Sequence, residues 1–549
     1  MRFGEVPLAE ATGAVLAHSL KLGDRTLRKG RVLSAEDVAA LAASGRTSIV
    51  AALLDADDIG ENAAATDIAA ALAGPRVNVA TAFTGRVNFF AEVSGLLVFD
   101  RARIDRFNLV DETITLATLE PYAVVEPKQM VATLKIIPFA VRRAAVEACL
   151  REAASDGPLF HVAPFRARRA GLIQTRLPGL KETVLAKTVD TTRERLLAFG
   201  SDLLLERRCD HEAEKLAPEI TAALGAGCDL VLVAGASAII DRRDVIPEAI
   251  ELAGGSIDHF GMPVDPGNLM LMGRVGDTPV LGLPGCARSP KVNGFDWVLQ
   301  RLLADLPAGR REIMSMGVGG LLADIPTPSR PLPRAKVAAE AAKVLPRAPR
   351  IAGLVLAAGQ SRRMGTLNKL LIGIDGKPMV RHVAEAVAAS QASPLLVVTG
   401  HERERVEAAL ADIAAGFVHN PDYASGLSTS VKAGLAALPA EIDGAVICLG
   451  DMPRVAAAEI NRLIAAFNPV EGRAICVPTR RGKRGNPVLI AKSLFAELTS
   501  ISGDVGARDV VAGHPELVTE IEMESDGVLT DIDTPQALAR LAATAKIDA

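Results

Sequence analysis

The residues best suited to chemistry lie in two short stretches of the second half of the chain. The first runs Leu356-Ala357-Ala358-Gly359-Gln360-Ser361-Arg362-Arg363-Met364-Gly365 and continues to Asn368-Lys369-Leu370-Leu371. An apolar run, Ile351 to Leu356, leads into it, so a buried strand feeds a loop whose Gly359 and Gly365 let backbone N–H groups approach phosphate oxygens. Arg362, Arg363 and Lys369 add fixed positive charge. The expected ligand is anionic, and a triphosphate would use all of that charge. Taken alone, the loop also fits an ordinary βα turn with surface Arg and Lys. The Walker P-loop and the dinucleotide-binding glycine pattern are both absent, which disfavours a Walker-type ATPase and a nicotinamide enzyme.

The second stretch is Leu449-Gly450-Asp451-Met452-Pro453. It places Asp451 at the carboxyl end of an apolar strand, the edge where open α/β sheets bind ligands. A carboxylate there, beside a phosphate-binding loop, suits Mg²⁺, which prefers oxygen ligands and bridges phosphates. A turn-opening Asp before the next helix is the plainer alternative. In the first half, Val231 to Ser237 is a strand running into a small-residue loop, and Asp244 opens a helix as its cap. Gly261 to Asn268 and Leu283-Pro284-Gly285-Cys286 form two Pro/Gly loops, which plain αβ turns would equally explain.

The elements that must position these residues alternate. Ile351–Leu356, Pro394–Thr399, Gly444–Leu449 and Arg473–Val477 read as strands; Lys377–Ser390, Glu402–Ala414, Gly426–Leu438 and Ala456–Phe467 read as helices. Ala170–Gln174, Cys228–Ala234 and Pro279–Leu283 are strand-like, between the helical stretches Val189–Phe199, His211–Leu224, Asp244–Ala253 and Asn293–Leu306. Such alternation predicts two doubly wound α/β domains with parallel sheets. The first 169 residues read as mixed α+β, with helices at Ser34–Ser44 and Ile136–Ala154 and β-like runs at Gly95–Phe99 and Thr113–Ala117. Seven prolines between Pro307 and Arg350 predict a linker. The expected division is 1–169, 170–306, 307–350 and 351–549.

The chain has 549 residues, 61 Lys plus Arg against 65 Asp plus Glu, and 49 % hydrophobic residues of which few are aromatic. A charge of −4 on so large a body argues against broad binding to nucleic acid or anionic membrane. No apolar run of membrane-spanning length occurs. The six cysteines form no C-x-x-C pair, and together with an N-terminus lacking a secretory pattern they predict free thiols in a cytoplasmic protein.

The run from Leu356 to Lys369, with Asn420, Gly426-Leu427-Ser428-Thr429-Ser430, Gly450-Asp451-Met452-Pro453, Gly485-Asn486-Pro487 and Asp531-Ile532-Asp533-Thr534-Pro535, resembles the molybdenum-cofactor nucleotidyltransferases over Ile351 to Leu541. The Leu-Ala-Ala-Gly form resembles the branch that uses CTP. By that resemblance Leu356, Ala357, Ala358, Gly359, Ser361, Arg363, Gly365 and Lys369 would bind the nucleotide. Lys369 and Asp451 would be catalytic, and Asp451 and Asp533 would ligate Mg²⁺, with Asp531 a competitor for the second place. The implied reaction is attack of the pterin's terminal phosphate on the α-phosphorus of CTP, with a molybdenum hydroxylase apo-enzyme or its chaperone receiving the product.

Residues Ala170 to Leu306 resemble the molybdopterin-binding domain of molybdopterin adenylyltransferases and molybdate-insertion enzymes, with a weaker echo of the latter near Val6 to Ala52. The resemblance implies pterin contacts at Gly235, Ser237, Asp244, Pro284 and Gly285. Departures at Ala234-Gly235-Ala236 and Pro284-Gly285-Cys286-Ala287 point to binding without activation. The sequence thus predicts a cytidylyltransferase tethered to a pterin-binding half, which would raise the local concentration of acceptor. A nucleotidyltransferase for a sugar- or polyol-phosphate, and a non-catalytic cofactor carrier, are the competing readings.

Overall fold

The computed structural model describes residues 1–22, 25–264, 268–322, 349–360, 368–500, 507–534, 536–538 and 547–548. The first region holds two small cores. Strands Arg2–Pro7, Ser48–Leu53 and Val15–Leu16 form an antiparallel sheet. Helix Ala35–Ala43, opened by a Ser34/Asp37 capping box, covers it around Leu16, Leu41 and Ile49. The second core gathers Ile68, Phe89, Phe107 and Phe160, with the Phe89 and Phe160 rings edge to face at 5.0 Å. The expected helix Ile136–Ala154 begins only at Arg143, because strands Met130–Ile136 and Ala140–Arg142 precede it. Pro138 holds the preceding backbone extended, and the stretch from Val131 to Ile136 follows the period of a strand rather than a helix.

The next sheet contains β1 (Arg169–Arg176), β2 (Asp202–Asp210), β3 (Leu230–Ala234), β4 (Ser256–Met262), β5 (Asn268–Val275) and β6 (Thr278–Leu283) in the order β2-β1-β3-β6-β5-β4. The first four are parallel; β5 and β4 extend the sheet antiparallel. Helices α1 (Glu182–Leu197) and α4 (Gly294–Leu303) pack into one core with Leu172 and Leu232, whereas α2 (Ala213–Gly225) and α3 (Val245–Leu252) join Ile173 and Val233 in another. Burial on both faces explains the unbroken apolar runs of β1 and β3. Strand β2 was not expected from the sequence. Lying at the sheet edge, it carries Glu206, Arg207 and Arg208 in place of a clean apolar run. Helix α1 starts seven residues before its expected position. The linker also begins later than expected: helix Arg310–Met314 inserts Ile313 into the same core as α1 and α4, followed by Met316.

The C-terminal sheet comprises β7 (Ile351–Ala357), β8 (Leu395–Thr399), β9 (Gly416–His419), β10 (Gly444–Leu449), β11 (Ile475–Arg480), β12 (Val488–Ala491) and β13 (Val518–Glu522). Its order is β9-β8-β7-β10-β12-β11, with β13 parallel to β11 and β12 antiparallel to both neighbours. Helices α5 (Met379–Ala389), α6 (Leu427–Ala436) and α7 (Ala457–Ala466) share one continuous core with these strands. The chain runs β7, β8, β9 outward and then returns to place β10 on the other side of β7. That reversal is the crevice where doubly wound sheets receive ligands. At the opposite edge of the sheet the first region docks: Lys128 Nζ donates to the carbonyls of Ala388 (3.1 Å) and Ala392 (3.0 Å). Arg28 Nη1 likewise donates to Val518 O at 2.8 Å.

None of the six cysteines is joined in a disulfide, and five are buried. Burial pushes the Cys448 and Cys476 thiols up to about 12, so both are inert core side chains. No helix among the described residues is long and apolar enough to cross a membrane.

Candidate active site

At the carboxyl ends of β7 and β10 lies a cavity of about 430 Å³ whose lining includes Leu356, Ala358, Gly359, Lys369, Asp451 and Asp533. Gly450 brings the two strand ends together. Its N–H bonds Leu356 O at 3.0 Å, and a Cβ there would fall 2.9 Å from that same oxygen. Asp451 is thereby presented to the crevice. Asn368 accepts a hydrogen bond from the Leu370 N–H at 3.1 Å, which fixes the short turn carrying Lys369. The Ile532 N–H bonds Asp451 O at 3.0 Å and so brings Asp533 alongside.

These three side chains meet. Lys369 Nζ donates to Asp451 Oδ2 at 2.5 Å and also to Asp533 Oδ1. Asp451 Oδ1 is buried and accepts no hydrogen bond among the described residues. Burial pushes the Asp451 carboxyl above the ordinary carboxylate range against the pull of Lys369. Burial also works against the Lys369 ammonium, but the two carboxylates outweigh it and hold that group above its ordinary value. The lysine is therefore charged throughout the neutral range.

The opposite wall is the start of α6. Gly426 takes φ +112°, which favours glycine, and its loop lines the cavity with Tyr423 and Ser430. Asn420, 2 % exposed, pins this turn by donating to Thr429 Oγ1 (2.9 Å) and Ser430 Oγ (3.0 Å). Of the expected nucleotide-binding residues, Leu356, Ala358, Gly359 and Lys369 line the cavity, while Ala357 is wholly buried behind it. Ser361, Arg363 and Gly365 lie outside the described residues. Asp531 also lines the cavity, but the carboxylate bonded to Lys369 is that of Asp533.

A second cavity of about 460 Å³ shares the walls Leu356, Leu427 and Leu449 and holds Arg484, Asn486 and Arg508. The two arginines were not singled out from the sequence. Neither belongs to a recognisable spacing, and they reach the cavity from segments far apart in the chain.

In the other parallel sheet, Gly235, Ser237, Pro284 and Gly285 surround a pocket of about 100 Å³ together with Arg288. Asp244, expected to face a ligand, does not line it. Its Oδ1 accepts from the Val245 N–H (2.8 Å) and its Oδ2 from the Ile240 N–H (3.2 Å), so the carboxylate is consumed in capping α3. Three residues here were missed. His211 Nε2 pairs with Ser237 Oγ and its Nδ1 with Thr175 Oγ1, both at 2.8 Å. Thr175 Oγ1 also accepts the Ala236 N–H at 2.8 Å, and Arg288 Nη2 donates to Gly235 O at 2.7 Å. Burial lowers the His211 pKa, with Asp244 opposing. The signal available in the sequence was position: Thr175 is the penultimate residue of β1 and His211 follows β2, so both stand at the carboxyl edge.

Among the described residues no group of three or more His, Cys, Asp or Glu is arranged to hold a metal ion. Asp451 and Asp533 nevertheless fit Mg²⁺, which is commonly held by one or two carboxylates, water and substrate phosphates. The buried, unpartnered Asp451 Oδ1 is an oxygen such an ion would satisfy.

The fold and this site define a nucleotidyltransferase-type α/β domain. Residues 353–518 match the family described as "MobA-like NTP transferase domain", so the C-terminal half carries a domain of that family. Residues 5–52 match a domain of unknown function, DUF8806. The chain is 28 % identical over 198 residues to nicotine blue oxidoreductase of Paenarthrobacter nicotinovorans, covering 35 % of this chain and 97 % of that protein. It is 27 % identical over 183 residues to the molybdenum cofactor cytidylyltransferase of Escherichia coli K12, covering 33 % and 90 %. Identity reaches 37 % over 171 residues with the bifunctional protein GlmU of Rhizorhabdus wittichii, where the match spans 31 % of this chain and 35 % of the relative's length. A crystal structure of Rv0371c from Mycobacterium tuberculosis H37Rv is 28 % identical, covers 36 % of this chain and 99 % of its own, and superposes with a TM-score of 0.32.

Proposed function

We propose that the C-terminal domain transfers CMP from CTP to the terminal phosphate of molybdopterin or molybdenum cofactor, while the preceding half binds the pterin. The observation that carries this reading is the Lys369–Asp451–Asp533 cluster in a cavity that shares its wall with a second one. The first cavity suits a nucleotide. The second, with apolar walls and Arg484 and Arg508, suits a flat acceptor that bears a phosphate. An acceptor phosphate oxygen attacks the α-phosphorus, the bond to the bridging oxygen of pyrophosphate breaks, and pyrophosphate leaves. A phosphate nucleophile is already ionised near neutral pH, so no general base is required.

The protein's contribution is positioning and charge. Lys369 would neutralise charge on the α-phosphate and the leaving group. Asp451 and Asp533 would hold Mg²⁺, which supplies further charge neutralisation on the phosphates. The likeness to the Escherichia coli enzyme and the Ala357-Ala358-Gly359 turn support the choice of CTP. Pterin binding by the other half is supported by the pocket at Gly235, Ser237, Pro284 and Gly285, and the product would pass to a molybdenum hydroxylase apo-enzyme or its chaperone.

A second reading is a nucleotidyltransferase acting on a sugar- or polyol-phosphate: the Gly359 turn, Lys369 and Asp451 would serve any phosphate-bearing acceptor, and the likeness to GlmU supports a general nucleotidyltransferase. Pyrophosphate release with each of the four nucleoside triphosphates, against molybdenum cofactor and against a hexose 1-phosphate, separates the two. Turnover with CTP and the pterin is the expected result. Equal or faster turnover with GTP would overturn the nucleotide choice, and turnover with the sugar phosphate alone would overturn the acceptor.

A further inference from the structure

The place between Asp451 and Asp533 is taken by a cation, the Lys369 ammonium, bonded to an oxygen of each. The lysine and Asp451 side chains are 13 % and 15 % exposed, so this contact is made mostly out of water. Charge at the cluster sums to −1 with the ammonium in place and to −2 without it. A divalent ion approaching the two carboxylates therefore competes with a positive group seated on the oxygens it needs. The ammonium leaves most readily when something more negative draws it, and a triphosphate brings at least three charges into the same cavity. Asp451 Oδ1, buried and without a hydrogen-bond partner among the described residues, is an oxygen of the pair that the lysine does not occupy.

We infer that Lys369 is the resident counter-ion of the Asp451–Asp533 pair, keeping the divalent ion's place until a nucleoside triphosphate draws its ammonium away. The inference rests on the reading of this cavity as a nucleotide and Mg²⁺ site. Its consequence is an order of loading: tight divalent-ion binding follows nucleotide binding. Free nucleotide and ion entering together as a complex satisfy the same rule, because the phosphates arrive with the metal.

The test uses the full-length protein, with Mn²⁺ as the probe and free Mn²⁺ followed by electron paramagnetic resonance. Binding is measured with and without a CTP analogue whose α,β-bridging oxygen is a methylene. Wild-type protein should bind Mn²⁺ weakly alone and at least tenfold more tightly with the analogue. Lys369→Met should bind Mn²⁺ alone at least tenfold more tightly than wild type, and the analogue should add less. Lys369→Gln serves in place of Lys369→Met if the latter fails to fold, and the comparison of variant with wild type in the absence of the analogue decides, because the analogue's phosphates ligate Mn²⁺ themselves. Wild-type Mn²⁺ affinity that ignores the analogue, or variant affinity no higher than wild type, overturns the counter-ion role even where pyrophosphate release is normal. Absence of Mn²⁺ binding under every condition, together with absence of pyrophosphate release, overturns the underlying site reading as well.

Discussion

The pocket beside Gly235 and the cavity beside Gly359 occupy equivalent places. Each lies at the carboxyl ends of neighbouring parallel strands, β3 and β6 in one case and β7 and β10 in the other, the latter being where the chain reverses direction across its sheet. Each is entered by a loop of small residues. They differ in what the neighbouring strands contribute. Around Gly359 the added groups are Lys369, Asp451 and Asp533, fixed charges able to balance phosphate and metal. Around Gly235 they are Thr175, His211, Ser237 and Arg288, a chain of neutral hydrogen bonds with one cation at its edge. Topology decides where a ligand is met, and a handful of side chains decide whether it is transformed or only held.

The sharpest way to break that contrast is to remove charge from the second site. Asp451→Asn should lower CMP transfer about a thousandfold while leaving the thermal unfolding transition in place, since the amide keeps the shape and loses the charge. Pyrophosphate release near the wild-type rate would show that Asp451 is not needed. Lys369→Ala should cost about 3 kcal/mol of transition-state stabilisation, about a hundredfold in kcat, with a smaller change in KM. A change confined to KM would move its role from chemistry to binding.

Separating the regions tests the contrast from another side. The C-terminal sheet has its own continuous core, so a fragment from Pro349 to Ala549 should still release pyrophosphate from CTP and the pterin, with a higher KM for the acceptor. A folded but silent fragment would mean that the site is shared between halves. Within the first site, Arg288→Ala should weaken pterin binding by about 1 kcal/mol, about fivefold, and leave kcat at saturating acceptor unchanged. Calorimetry and steady-state kinetics on the same variant decide it.

The smallest expected effect concerns pH. Burial lowers the His211 pKa, so the folded protein binds fewer protons there than the unfolded chain. That contribution to stability is present above the unfolded value near 6.5 and is lost as pH falls through the lower folded value. Pterin affinity should weaken over the same acid range as His211 charges and its hydrogen bonds to Thr175 and Ser237 rearrange. A His211→Gln variant should flatten that dependence.

Much of the architecture was legible because strands buried on both faces, such as β3, β7 and β10, must be continuously apolar. Strand β2 was hidden because an edge strand need not be, and helix α1 was read short because its first turns carry Lys187 and Glu182 among the apolar positions. In the candidate site, Asp451 announced itself by following a glycine at a strand end, and Lys369 by following the glycine- and arginine-bearing loop after the first strand. His211, Thr175, Arg484 and Arg508 did not, because their meaning comes from segments that converge only after folding. Asp244 was read both as the cap of a helix and as facing a ligand, and its oxygens accept from the Ile240 and Val245 N–H groups as the cap requires.

The hydrogen bond from the Ile532 N–H to Asp451 O has a temporal consequence. It ties the second carboxylate to the first from a point 164 residues beyond Lys369. A ribosome adding about ten residues per second would expose the lysine and the loop well before Asp533 emerges. During that interval the strands up to β10 can begin to pack, but β13 and the charge cluster are unfinished. Completion of the charge cluster thus arrives as a late event in the birth of the chain, together with the last strand of the sheet.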